Sequence, residues 1–156
     1  MIQIFSIFAD YFQFILMDED SQTDFSTIWT AEALDKTLAS TETAICPVTF
    51  RNIDVTVEIE ILDSPPIINL ADWDNAVEAS ITISSGKLII MGCTDYIPDA
   101  PRIDIQPATY HCISLAKGLD TIKTEWESAN DLYRVCLWPG SYRTPQILKK
   151  YNHLNT

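Results

Sequence analysis

The sequence predicts a mostly β protein: an antiparallel two-sheet β-sandwich of about eight strands with one short α-helix. Period-two alternation of apolar and polar residues dominates the chain, and turn signals punctuate it. Only one stretch shows helical spacing. A composition of 47% hydrophobic and 10% aromatic residues over 156 positions is that of one globular domain able to bury its own core.

The apolar start, Met1 to Met17, resembles a secretion signal only superficially. No Lys or Arg precedes it, Asp10 interrupts it, and Asp18, Glu19 and Asp20 stand where a small-residue cleavage site would follow. It reads as strand, with Tyr11–Met17 the clearest part. No other run reaches the roughly 18 apolar residues of a membrane span, so a cytoplasmic protein is expected. Residues 30–39 place Ala33, Leu34 and Leu38 at helical spacing; Thr30 can cap this helix, Glu32 suits its first turn, and Trp29 can anchor it. Strands are expected at Ala44–Phe50 and at Ile53–Ile61, where five β-branched residues face one side and Asp54, Thr56, Glu58 and Glu60 the other. Asp63-Ser64-Pro65-Pro66 breaks the pattern.

Asn75–Ile83 and Lys87–Met91 form a hairpin through Ser84-Ser85-Gly86, and Gln106-Pro107-Ala108 links Arg102–Ile105 to Thr109–Ala116. Such short connections imply antiparallel pairing. A second helical turn fits Leu119–Ser128, and Tyr133–Trp138 is the last expected strand. After Pro139-Gly140 the composition turns basic and aromatic, with Tyr142, Arg143, Lys149, Lys150, Tyr151 and His153. The chain is therefore divided into an acidic sandwich, 1–140, and a tail, 141–156, expected to lie on the surface or fray.

Charge narrows the function. The net charge is -12, and it is uneven: residues 1–80 hold 9 Asp and 6 Glu against one Lys and one Arg (-13), whereas residues 81–156 balance at +1. A nucleic-acid binder working by bulk electrostatics is excluded, because a polyanion would be repelled. Solubility alone can explain an acidic surface, and so can a basic protein partner.

Candidate chemistry is sparse. Cys46, Cys93, Cys112 and Cys136 form no CxxC pair, so a zinc site is not expected, and each sits in an apolar context that suits a buried thiol. His111 and Cys112 are strand neighbours and point to opposite faces, which makes a poor nucleophile–base pair. The four glycines are isolated, so no phosphate-cradling loop is present. No metal or cofactor is expected. Asp95, Tyr96 and Asp99, with Asp104 nearby, can supply carboxylates for a hydrolase or a cation, although Asp before Ala-Pro is also ordinary turn chemistry. Arg134 with Trp138, and Glu78 near Trp73, allow a carbohydrate-binding platform; core packing is the commoner use of such tryptophans. The sharpest site is acidic. Asp54, Glu58 and Glu60 form a ladder at about 6.6–6.8 Å per two residues, comparable to phosphate spacing, and Asp18, Glu19, Asp20 and Asp24 would extend it. A solvated outer sheet face is the competing reading.

Several elements together resemble the competence protein J family of small bacterial nuclease inhibitors. They are the Tyr11 to Phe14 strand leading to Asp18, the element Trp29-Thr30-x-Glu32-Ala33, then Ala44-Ile45, and Ile103-Asp104-Ile105-Gln106-Pro107-Ala108-Thr109-Tyr110. The Trp-Thr-x-Glu-Ala element is the most specific of them. What the resemblance implies is a non-enzymatic inhibitor or immunity-type partner of a basic, metal-dependent DNA nuclease or toxin. It assigns no catalytic residue.

Overall fold

The structure, a computed structural model, describes residues 2–152; His153 of the expected tail lies outside them. Two sheets pack face to face. The six-stranded sheet runs in the order β1 (Ile2–Phe8), β5 (Asp54–Ile61), β10 (Leu132–Pro139), β9 (Ala108–Lys117), β6 (Asn75–Ile83), β11 (Gln146–Lys149). The five-stranded sheet runs β3 (Leu38–Ser40), β4 (Ala44–Pro47), β2 (Ile15–Asp18), β7 (Lys87–Met91), β8 (Arg102–Asp104). One α-helix, α1 (Ala31–Lys36), accompanies them. The mostly β two-sheet fold expected from the alternation is therefore present.

The main core lies between the sheets. Val55, Val57 and Ile59 of β5 meet Val135 and Leu137 of β10, Ile81 and Ile83 of β6, and Leu16, Ile45, Leu88 and Ile90 of the facing sheet. Full burial of each such side chain contributes about 1.5–3 kcal/mol. The outer faces are covered as well. Residues 19–37, including α1, lie over Ile15, Met17, Cys46, Ile89 and Met91 through Phe25, Ile28, Trp29 and Ala33. The long connection from β5 to β6 folds across the other outer face, where Leu62, Ile68, Leu70 and Trp73 cover Ile113, Leu115, Cys136 and Trp138.

Five details sharpen or depart from the sequence expectation, and the described residues hold eleven strands rather than about eight. The apolar start is two strands, β1 and β2, in different sheets, with a 3-10 turn at Asp10–Phe12 between them. α1 is only six residues long: the Thr30 side chain caps it, accepting from the Ala33 amide at 3.1 Å, and Thr37 at φ 58 ends it, which releases Leu38 into β3. β10 lies parallel to β5, with Arg134 opposite Glu58, so the pairing is mixed. The helical turn expected within Leu119–Ser128 is a single 3-10 turn at Leu119–Thr121. The segment after Gly140 lies at the surface, but as a formed edge strand, with β11 antiparallel to β6 at Gln146↔Glu78.

Candidate functional site

On β5 the alternation works as expected, with the polar residues on the outer face. Each rung has a different environment. Asp54 is exposed and forms no ion pair among the described residues. Glu58 is half-buried, and its Oε1 lies 2.7 Å from Arg134 Nη2, because β10 runs alongside. Glu60, also half-buried, accepts a weak hydrogen bond from Cys136 Sγ at 3.7 Å. The ladder is thus covered and neutralised towards its middle and open at Asp54.

Asp18, Glu19, Asp20 and Asp24 do not extend this ladder, since β2 and the loop after it belong to the opposite sheet. Asp18 is a correction to the sequence reading. Its side chain is 1% exposed, and it accepts from Ser84 Oγ at 3.2 Å, the Ser85 amide at 3.1 Å and Ser85 Oγ. This carboxylate closes the β6–β7 hairpin, so Gly86, at φ 77, and Asp18 together set that turn. Glu19 bonds Arg102 Nε at 2.6 Å. Asp24 accepts from the Ser26 hydroxyl and amide, which hold its pKa below the usual value. Asp20 is exposed.

The alternative sites are dispersed. Asp95 Oδ2 accepts from the Gly92 amide at 2.8 Å and closes its own turn, Asp99 lies in a separate 3-10 turn, and Asp104 pairs with Lys87. Tyr96 stands exposed beside them. Among the described residues no group of three or more His, Cys, Asp or Glu is placed to hold a metal ion. The tryptophans follow the core-packing reading: Trp73 and Trp138 are buried, with Lys117 and Arg134 over the Trp73 ring at 4.8 and 5.3 Å and His111 edge-on to Trp138. Of the four thiols, Cys46, Cys112 and Cys136 are buried as expected, and Cys93 is only half-buried. Burial pushes Cys112 and Cys136 up to about 12, so neither is a thiolate nucleophile near neutrality.

One end of the sandwich was not legible in the sequence. Tyr11 and Phe12 both have left-handed backbones, at φ 57 and φ 59, an arrangement that costs about 1–2 kcal/mol for each non-glycine residue. The turn is held by the Tyr11 amide donating to Asn52 Oδ1 at 3.0 Å, and the Asn52 amide in turn donates to the Glu125 carbonyl at 3.3 Å. Beneath them Arg51, 6% exposed, binds Asp131 through Nε at 3.1 Å and Nη2 at 2.6 Å and donates from Nη1 to the Glu127 carbonyl at 2.6 Å. Tyr133 donates to Asp131 at 2.8 Å and accepts from the Phe50 amide at 2.9 Å. Four segments of chain are fastened here. The one available signal was Arg51, a single cation in an otherwise acidic and apolar stretch.

Fold and surface together define a class: a two-sheet β-sandwich with covered outer faces whose candidate carboxylates are spread over loops, turns and strand rims. Among solved structures the fold is shared by ComJ, inhibitor of the DNA degrading activity of NucA, from Bacillus subtilis, with a TM-score of 0.67 and 18% identity over 90% of this chain and 96% of that one. It is also shared by the protein of crocagin biosynthetic gene J, with a TM-score of 0.58 and 15% identity over the same shares of the two chains. The resemblance to the competence protein J family drawn from the sequence is thus matched at the level of fold. No family model and no curated protein sequence matches the chain. No helix among the described residues is long and apolar enough to cross a membrane.

Proposed function

We propose that this protein is a non-enzymatic binding protein that blocks a DNA-degrading nuclease, as an inhibitor or immunity-type partner, and that the nuclease presents a basic surface. The observation that carries this reading is the likeness of fold along 90% of the chain to a protein described as an inhibitor of a DNA-degrading activity. The charge supports it. A nuclease must attract a polyanion, so its substrate groove is positively charged, and an acidic protein carrying -12 is steered to the same place. Blocking requires no chemistry from the inhibitor: occupying the groove excludes phosphate, and the carboxylates replace it as counter-charges. In this reading the protein acts in the cytoplasm, where DNA would otherwise be exposed to the nuclease.

The test is titration of the purified protein into a DNA-degradation assay with a metal-dependent nuclease encoded beside its gene, and in parallel with NucA, at low and high salt. The expected result is stoichiometric inhibition that weakens as salt screens the exposed charges. Asp54→Lys, at the open rung, should slow association. Undiminished DNA cleavage at excess inhibitor, with no complex on size-exclusion chromatography, would overturn the proposal.

A further inference from the structure

We infer that the partner docks on the end of the sandwich where Phe8, Tyr11 and Trp126 stand exposed among the carboxylates Asp54, Glu125 and Glu127, and that it does so through Lys or Arg side chains. This rests on the inhibitor reading above and specifies its contact surface.

Three large aromatic side chains at one end are left in water: Phe8 is 43% exposed, Tyr11 70% and Trp126 66%. Their neighbourhood follows from the backbone. Phe8 is the register partner of Asp54, the Ala9 amide donates to the Ile53 carbonyl at 3.0 Å, the Tyr11 amide bonds Asn52, and Asn52 bonds the Glu125 carbonyl. Strand β1, the Tyr11 turn, the start of β5 and the Trp126 loop therefore meet on residues 52–54. Tyr and Trp are the residues that most often carry interface energy; the Tyr11 ring borders a cleft with Trp29, Leu34 and Val48, and Phe8 adds a third exposed ring beside Asp54.

The presentation is rigid in the way a recognition surface needs. The two consecutive left-handed residues at Tyr11 and Phe12 are sterically costly, and the Asn52 side chain holds that conformation instead of a glycine relaxing it. On the Trp126 side, Arg51 donates to the carbonyl of Glu127 and is itself fixed by Asp131. The main chain that carries both aromatics is fastened, so little backbone ordering remains to be done on binding.

Charge selects the occupant. Arg51 and Asp131 cancel each other inside, which leaves Asp54, Glu125 and Glu127 exposed against Lys123. A guanidinium or ammonium lying on an indole or phenol face, within reach of a carboxylate, uses both features at once. A second copy of the chain would bring the same acidic end against itself, a repulsive arrangement, whereas a nuclease's DNA groove carries cations in quantity. The location also fits the state of the β5 ladder, whose inner rungs are engaged by Arg134 and Cys136 while Asp54 faces this end open.

The experiment compares the unaltered chain with Tyr11→Ser, Trp126→Ser and their double variant, in the nuclease assay above and by direct titration. Tyr11→Phe and Trp126→Phe serve as conservative controls, and melting curves establish that every variant is folded. Each Ser variant should weaken binding by about 10-fold or more, and the double variant further. The Phe variants should stay close to the unaltered affinity, and acrylamide quenching of tryptophan emission should fall on complex formation. If the unaltered chain inhibits and the folded double variant binds as tightly, the docking end is wrong and the inhibitor reading stands. If the unaltered chain neither inhibits nor binds the nuclease, both readings fall. Self-association that is lost on Trp126→Ser would assign this end to a second copy and overturn the inference.

Discussion

Replacing Asp131 with Asn tests the fastening that organises the partner-facing end. The substitution keeps the shape and removes the charge, so Arg51, 6% exposed, is left with a buried guanidinium that no carboxylate balances. The bond that Tyr133 donates to Oδ2 is weakened as well. Breaking one side of a buried ion pair costs about 3–5 kcal/mol, a large part of the roughly 5–15 kcal/mol by which domains are stable. With an unfolding entropy of about 2.1 cal/mol/K per residue, a chain of 156 residues has about 0.33 kcal/mol/K, so Tm should drop by roughly 9–15 °C. Calorimetry and urea unfolding measure it. The double change Arg51→Met with Asp131→Leu should recover only part of the loss, because an apolar pair replaces both charges but leaves the Tyr133 hydroxyl and the Glu127 carbonyl without their partners. A loss below about 1 kcal/mol for Asp131→Asn would show that Arg51 is solvated, and the account of a buried latch would fail.

Asp18→Asn should lower stability by about 1.5–3 kcal/mol through its weakened bonds to Ser84 and Ser85, yet leave partner affinity unchanged once the protein is folded; a change in affinity alone would return Asp18 to the contact surface. Gly118→Ala should destabilise by at least about 1–3 kcal/mol, because φ is +72 there and a Cβ would run into the Asn130 carbonyl; an unaltered urea midpoint would contradict this. Stability should fall above about pH 8.5, where thiols of the unfolded chain ionise while burial keeps Cys112 and Cys136 protonated up to about 12. The folded state then binds more protons than the unfolded one, so the slope is negative, about 1.4 kcal/mol per pH unit for each such thiol. Urea midpoints measured under reducing conditions at pH 8, 9 and 10 would reveal a flat profile if the thiols were solvated.

What the sequence disclosed was governed by local chemistry. The Ile53–Ile61 alternation survives intact because one face packs against the core and the other meets water or charged neighbours, which is the situation a period-two pattern encodes. The Thr30 cap and the Ser84-Ser85-Gly86 turn are short-range devices and were legible for the same reason. Trp73 and Trp138 were ambiguous, because their burial depends on the β5–β6 connection folding back across the sheet, a tertiary event no window of sequence contains. Asp18 read as surface since carboxylates are seldom buried; only the arrival of the Ser84-Ser85 turn from another strand pair makes its burial tolerable. The Tyr11–Phe12 backbone was hard to read, as left-handed residues are expected at Gly or Asn; the Tyr11 amide is shared by the neighbouring Asp10 carboxylate and by Asn52, 41 positions away.

The charge asymmetry along the chain also changes meaning once the chain is folded. Residues 1–80 carry -13 and the remainder +1, but the fold interleaves the halves. Parallel pairing sets Arg134 beside Glu58, Arg143 next to β11 reaches Glu78, Arg102 reaches Glu19, and Lys150 reaches Asp35. Four cations of the second half thus neutralise four carboxylates of the first. These pairs are partly exposed and add little stability individually, about 0–1 kcal/mol each, so their main effect is on the surface potential. The Arg134–Glu58 pair quenches the middle of the β5 ladder and leaves Asp54 at its end. A partner guided only by net charge would be held diffusely and lost in salt. One guided to Asp54 meets exposed aromatic side chains on a fastened backbone as well, whose apolar contacts salt does not screen. High salt should therefore slow association with the unaltered protein far more than it speeds dissociation, whereas the Tyr11→Ser, Trp126→Ser double substitution should leave association and its salt dependence nearly unchanged and speed dissociation.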